Sequence, residues 1–170
     1  MILLETERLI LRNYTMNDVR AVHEYLSNED VARYEDFYPM TLEEVEEELN
    51  EWKDMDNRMA VQLKENGELI GSVGYWVDDK GKHSIDYDFN PRFQNKGYAT
   101  EAAREVVRYL TEDLHVKELF GDCDERNTAS SNLLLRLGFE KVYTNTNASY
   151  KNDADGKPII ITVEVYKFTA

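Results

Sequence analysis

Phe93-Gln94-Asn95-Lys96-Gly97-Tyr98-Ala99-Thr100-Glu101 joins an alternating, strand-like run to an amphipathic helix, and its reading decides the fold. Gly97 and the small Ala99 leave room for a diphosphate to approach the main chain. The first amides of the following helix lack intrahelical acceptors and stand at the positive end of the helix dipole. An ordinary loop and helix start would use the same residues, because short glycine strings recur by chance. A second element further along the chain, Asn127-Thr128-Ala129-Ser130 followed by Leu137-Gly138-Phe139, stands in the structural context that favours the phosphate reading.

On the upstream side, Ser84 to Phe89 alternates, with Ile85, Tyr87 and Phe89 on one face and Ser84, Asp86 and Asp88 on the other. Downstream, Ala99, Ala102, Ala103, Val106, Val107, Leu110 and Leu114 form a stripe suited to packing on a sheet. Glu118 to Cys123 reads as the next strand. Strand, phosphate-type turn, helix and strand make a parallel βαβ unit, whose ligand side is the carboxyl end of the first strand. A short helix with Asn127 near its N-cap then runs to Leu137, with Gly138 as its C′ residue. Phe139 opens a strand expected to pair with Ile159 to Phe168 across Asp153-Ala154-Asp155-Gly156.

The amino-terminal half reads as antiparallel. Arg8 to Arg12 is a strand, and Thr15-x-x-Asp18 and Thr41-x-x-Glu44 are capping-box signatures of two helices. The second carries Leu42, Val45, Leu49 and Trp52 on its apolar side and runs to about Met55. Met59 to Leu63 and Leu69 to Tyr75 flank Asn66-Gly67, the preferred centre of a two-residue hairpin turn. The expectation is an α/β (α+β) chain forming a single domain over residues 1–170. Its mixed, mostly antiparallel sheet would have about seven strands, with about four flanking helices.

Composition narrows the function. No apolar run approaches the ~20 residues of a membrane span, and acidic residues follow the first apolar ones, so a cytoplasmic protein is expected. Cys123 is the only cysteine and the 3 histidines are scattered, which argues against a disulfide and against a metal site. With 34 acidic and 20 basic residues the net charge is −14, a poor match for nucleic acid. That excess would attract a cationic partner at long range, or serve solubility alone.

Taken together, these motifs resemble the GNAT superfamily of acyl-CoA N-acyltransferases, closest to the branch that includes the ribosomal-protein N-terminal acetyltransferases. The resemblance covers nearly the whole chain. It rests on Glu7-Arg8-Leu9-Ile10-Leu11-Arg12, the Gly71 strand, Phe89-Asn90-Pro91, Gln94-x-x-Gly97-x-Ala99-Thr100-Glu101-Ala102, Asn127-x-x-Ser130 and Leu137-Gly138-Phe139, in that order. It implies acetyl-CoA as cosubstrate, with the amides of Asn95, Lys96, Gly97, Tyr98, Ala99 and Thr100 on the pyrophosphate and Gln94 shaping the cradle. The main chain near Phe89 would pair with the pantetheine arm, Asn127 would hydrogen-bond it, and Ser130 would face the thioester. The implied reaction is direct attack of a neutral amine on the thioester, through a tetrahedral intermediate held by a main-chain N–H.

The chain departs from the superfamily pattern where many members carry a tyrosine acid: seven residues after the asparagine stands Leu134. Ser130 is then the candidate partner of the leaving thiolate. For the base, Asp86 and Asp88 are the nearest carboxylates to the expected thioester, although a solvated strand face would look the same. Tyr34 and Glu35 are weaker candidates. Cys123, between Asp122 and Asp124, reads as strand filler, because neighbouring negative charge raises a thiol pKa. The acceptor is a protein α-amine or a small cationic amine such as a polyamine or aminoglycoside. A non-catalytic acyl-CoA-binding module on the same fold is the alternative. A homodimer is expected if the apolar run Ile159 to Val165 forms a bare sheet edge.

Overall fold

The computed structural model describes residues 1–170, the side chain of Ile2 excepted. Its strands are Ile2–Glu5 (β1), Leu9–Arg12 (β2), Arg58–Leu63 (β3), Leu69–Val77 (β4), His83–Phe89 (β5), Glu118–Asp124 (β6), Glu140–Ala148 (β7) and Ile161–Thr169 (β8). They form one 8-stranded sheet in the order β1-β2-β3-β4-β5-β6-β8-β7. Every neighbouring pair is antiparallel except β5 with β6. The helices are Val19–Leu26 (α1), Glu29–Ala32 (α2), Leu42–Trp52 (α3), Tyr98–Arg108 (α4) and Thr128–Arg136 (α5).

The mixed, mostly antiparallel sheet expected from the sequence is present, with one strand and one helical turn more. The added strand, β1, folds back on β2 through a turn closed by Thr6 N–H on Leu9 O at 3.0 Å. The added turn, α2, is capped by Asn28, whose Oδ1 accepts from Asp30 N at 2.8 Å.

Strand alternation sends side chains to two cores. Met59, Val61 and Leu63 of β3 join Ala102, Ala103, Val106 and Leu110 of α4, while Ala60 joins Val22, Val45 and Leu49 of α1 and α3. Burying a Leu or Val side chain is worth ~1.5–3 kcal/mol, so these stripes supply much of the docking energy of their helices. Both capping boxes form. Thr15 N–H donates to Asp18 Oδ2 at 2.8 Å and Thr41 N–H to Glu44 Oε2 at 2.7 Å.

Four local expectations are corrected. Leu42 is exposed because it sits in the first turn of α3, ahead of the buried Val45 and Leu49. Leu114 is exposed because Tyr109–Asp113 widens into a π turn, which rotates the stripe away from the sheet. The β3–β4 connection spans Lys64 to Glu68 and is closed by Leu63 N–H on Glu68 O at 2.8 Å, so it is longer than a two-residue turn. Finally, β8 lies between β6 and β7 and is not an edge; the edges are β1 and β7. The premise for association through Ile159 to Val165 therefore falls, and Ile159 and Ile160 precede the strand. Among the described residues, no helix is long and apolar enough to cross a membrane.

The site is positioned by one departure from regular pairing. Strands β5 and β6 are joined only at His83 with Leu119 and Ser84 with Phe120. Beyond these residues β5 continues along β4 to the Phe89–Gly71 pair, and β6 continues along β8 to the Asp124–Val163 pair. Each strand follows its other neighbour, and the two facing edges separate.

Candidate active site

The separation opens a cavity of about 310 Å³ between the far halves of β5 and β6. It wraps around the open edge of β5, so side chains from both faces of that strand line it: Ile85 and Tyr87 from one, Asp86 and Asp88 from the other. Asn127, Ser130 and Leu134 enter from α5, and Cys123 from β6.

Below the opening, Pro91–Phe93 forms a single 3-10 turn and hands the chain to the glycine loop. Asn95 and Gly97 both take left-handed backbone angles, with φ of 60° and 80°. Alternation of hand turns successive amides toward one side, the geometry of an anion nest. Among the described residues, no turn or side-chain hydrogen bond takes up the amides of Asn95, Lys96 or Gly97. Those of Tyr98, Ala99 and Thr100 begin α4 and have no intrahelical acceptor. The loop is braced from behind: Arg8 Nη1 donates to Lys96 O at 3.0 Å and Arg8 Nε to Glu101 Oε2 at 2.6 Å. Gln94, Asn95, Lys96 and Gly97 are exposed, and Thr100 accepts from Arg136 at 3.4 Å. The loop expected from the sequence to form a cradle thus presents a run of amides without a protein acceptor.

Asn127 caps α5, its Oδ1 accepting from Ser130 N at 3.2 Å, while its side chain also faces the cavity. Capping and a ligand contact are compatible at this residue. Phe89 ends β5, opposite Gly71 of β4 on one side, where Asn90 N–H donates to Ile70 O at 2.9 Å, and without a β6 partner on the other. Leu134, where a tyrosine acid would stand, is buried and packs on Gly121, where an added Cβ would lie 2.6 Å from its methyl carbon.

Asp86 and Asp88 both stand against Arg58, Asp86 with its side chain 41% exposed and Asp88 largely buried. Arg58 Nη1 donates to Asp86 Oδ2 at 3.2 Å, and Nη2 stands 3.7 Å from Asp88 Oδ2. The guanidinium also lies 3.9 Å from the Trp52 ring centroid. The side chain of Asp88 is only 12% exposed. Burial, with Asp86 and Asp36 nearby, pushes its carboxyl up to about 6 against the pull of Arg58. Glu35 lines the cavity without a side-chain hydrogen bond among the described residues. Burial together with Asp88, Asp36 and Asp86 pushes it up to about 8. Cys123 is buried, and burial raises its thiol to about 11, so it is no thiolate nucleophile at neutral pH.

Sequence reading did not single out Arg58 or the role of Tyr87. Tyr87 was placed on the apolar face with Ile85 and Phe89, yet its hydroxyl lies 3.0 Å from Ser130 Oγ. Arg58 carried no signal, because its partners lie on a strand that only the register brings beside it. Among the described residues, no group of His, Cys, Asp and Glu is placed to hold a metal ion.

The model of the Acetyltransferase (GNAT) domain matches residues 8–140. An uncharacterized N-acetyltransferase of Bacillus subtilis, YnaD, is 30% identical over 139 residues, covering 80% of this chain and 81% of its own. The crystal structure of a GNAT-family acetyltransferase from Bacillus anthracis superposes with a TM-score of 0.88 at 25% identity, over 99% of this chain and 98% of that one. The microcin C7 self-immunity acetyltransferase MccE, solved with acetyl-CoA and AMP, shares the fold at 14% identity with a TM-score of 0.81, over 97% and 94% of the two chains.

Proposed function

The chain belongs to the GNAT acetyltransferase family, and on that premise we propose that it transfers the acetyl group of acetyl-CoA to a primary amine carried on a small cation. The acceptor assignment rests on the charge of the cavity. Glu35, Asp36, Asp86, Asp88 and Asp122 line it, and Arg58 is the only Lys or Arg among the lining residues. A cavity of about 310 Å³ suits a small molecule.

In this reading the amides from Asn95 to Thr100 hold the pyrophosphate, with Gln94 supporting the loop. The pantetheine arm lies along the open edge of β5 as far as Phe89 and meets Asn127 from the other side. The thioester then sits between β5 and α5, with Ser130 beside the sulfur. Asp86 and Asp88 face the incoming ammonium. Asp88 is the base: its raised pKa lies close enough to neutrality to take the proton, directly or through water. The neutral nitrogen attacks the carbonyl carbon, the C–S bond breaks, and the electron pair leaves on sulfur.

Thiol release from acetyl-CoA across a panel of amines tests this. Polyamines and aminoglycosides are expected to turn over faster than a neutral peptide bearing only its α-amine. Raising salt toward physiological strength, where the Debye length is ~8 Å, should raise KM in proportion to acceptor charge while kcat holds. Faster turnover of the peptide, with KM indifferent to salt, would move the acceptor to a protein N-terminus. Tight coenzyme binding with no thiol release from any amine would leave a non-catalytic acyl-CoA-binding module.

A further inference from the structure

The side chains of Tyr87 and Ser130 come from different elements and meet inside the cavity. The Tyr87 hydroxyl stands 3.0 Å from Ser130 Oγ and 3.3 Å from Ser130 O. Tyr87 is on β5 past the point where β6 departs, and Ser130 is in the first turn of α5. We propose that Tyr87 is a positioning residue for acetyl transfer: its phenol donates to Ser130 Oγ and thereby turns the serine hydrogen toward the sulfur that leaves.

The argument is one of donors and acceptors. A hydroxyl has one hydrogen and two lone pairs, and the hydrogen rotates to suit its neighbours. Left alone, the hydroxyl of a helical Ser can turn back onto a backbone carbonyl of the preceding turn. The phenol has one hydrogen and two acceptors in reach, Ser130 Oγ at 3.0 Å and Ser130 O at 3.3 Å; given to the nearer Oγ, it leaves the serine hydrogen free for the cavity. Burial holds the phenol well above its ordinary pKa, so it stays a donor throughout the neutral range. Cys123 of β6 and Glu35 also face this hydroxyl, and both bear on Tyr87 in the same direction. Leu134 offers no hydroxyl of its own, so the pair is the hydroxyl donor set that α5 and β5 bring to the cavity. In the step itself the C–N bond forms first, giving the tetrahedral intermediate, and its collapse breaks the C–S bond. The thiolate accepts a hydrogen bond from Ser130 Oγ and takes its proton from solvent after departure. The amine proton goes to the carboxylate side, and Tyr87 remains neutral throughout.

This inference rests on the acetyl-transfer reading, so its test carries a readout that needs no turnover. Tyr87→Phe keeps the ring and removes only the hydroxyl. It is expected to lower kcat about 10- to 100-fold, the worth of one hydrogen bond to a charged group, with KM for acetyl-CoA and the melting temperature unchanged. Ser130→Ala should fall at least as far, and the double variant no further, since the two hydroxyls act as one unit. In parallel, in the Cys123→Ala background, the thiol of bound coenzyme A is titrated by its thiolate absorbance. Tyr87→Phe should raise that thiol pKa by about a unit. Full kcat with an unchanged thiol titration, or losses that multiply independently in the double variant, would overturn the proposal. If no amine is acetylated yet the titration responds to Tyr87→Phe, the transfer reading falls and the hydroxyl arrangement stands.

Discussion

Arg58 and Asp86 are joined across a whole intervening strand. Arg58 on β3 pairs with Gly74 on β4, and Gly74 pairs with Asp86 on β5, so the three residues form one row. The guanidinium reaches Asp86 at 3.2 Å over the row position that has no side chain. A Cβ at Gly74 would lie 2.8 Å from Asp86 Oδ1 and 2.6 Å from Asn57 O. Glycine is required here by the close approach of the Asn57 carbonyl and the Asp86 carboxylate, with no help from an unusual backbone angle.

Gly74→Ala is therefore expected to destabilise the protein by ~1–3 kcal/mol, because neither the Asn57 backbone nor the Arg58–Asp86 pair can give way freely. The loss should fall on the amine side. kcat/KM for the acceptor drops while calorimetry shows coenzyme affinity close to wild type, and a variant that loses both equally would detach this row from the acceptor cavity.

The glycine loop makes a graded prediction. Gly97 has φ of 80°, so any L side chain is strained there by ~1–2 kcal/mol, and its Cβ would sit 3.4 Å from Arg8 Nη2. Gly97→Ala should weaken acetyl-CoA binding a few-fold. Gly97→Asp should abolish it, because the carboxylate adds repulsion at the amides. Undiminished binding in a folded Gly97→Asp variant would remove the cradle assignment.

Asn127→Ala separates capping from ligand contact. Loss of the Asn127 Oδ1 bond to Ser130 N costs about 1 kcal/mol of stability. Coenzyme affinity should fall by more than this, measured on folded protein well below the melting transition. A lowered melting temperature with unchanged affinity would leave Asn127 a cap alone.

Glu35 gives the protein a pH dependence of defined sign. Its carboxyl is raised from 4.5 to about 8 in the folded state, chiefly by burial. Between those values the folded state holds more protons than the unfolded chain, so stability is fully present below pH 4.5 and declines as pH rises through about 8. Asp88, raised to about 6, adds to the same slope lower in the window. Glu35→Gln should raise stability at pH 8.5 by on the order of 1 kcal/mol after allowance for its partial exposure, seen as a higher melting temperature, and leave it unchanged at pH 4. Binding of a cationic acceptor should release protons near pH 7, seen as a calorimetric heat that varies with the ionisation enthalpy of the buffer.

The sequence by itself determined most of the elements and the local features of the proposed coenzyme half of the site. Gly97, Asn127 with Ser130, Gly138 and the α4 stripe are each read from neighbours within a few positions, because capping, helix periodicity and backbone hand are local properties. The proposed acceptor half was decided only by tertiary structure. Asp86 and Asp88 were legible as carboxylates on one strand face, but their pairing with Arg58 and the burial of Asp88 depend on the register of β3, β4 and β5. The Tyr87–Ser130 contact depends on how far β6 departs from β5, and the place of β8 inside the sheet on the order in which strands pair. Such pairings join residues far apart in the chain, and their energy comes from burial and register, which no short window of sequence contains.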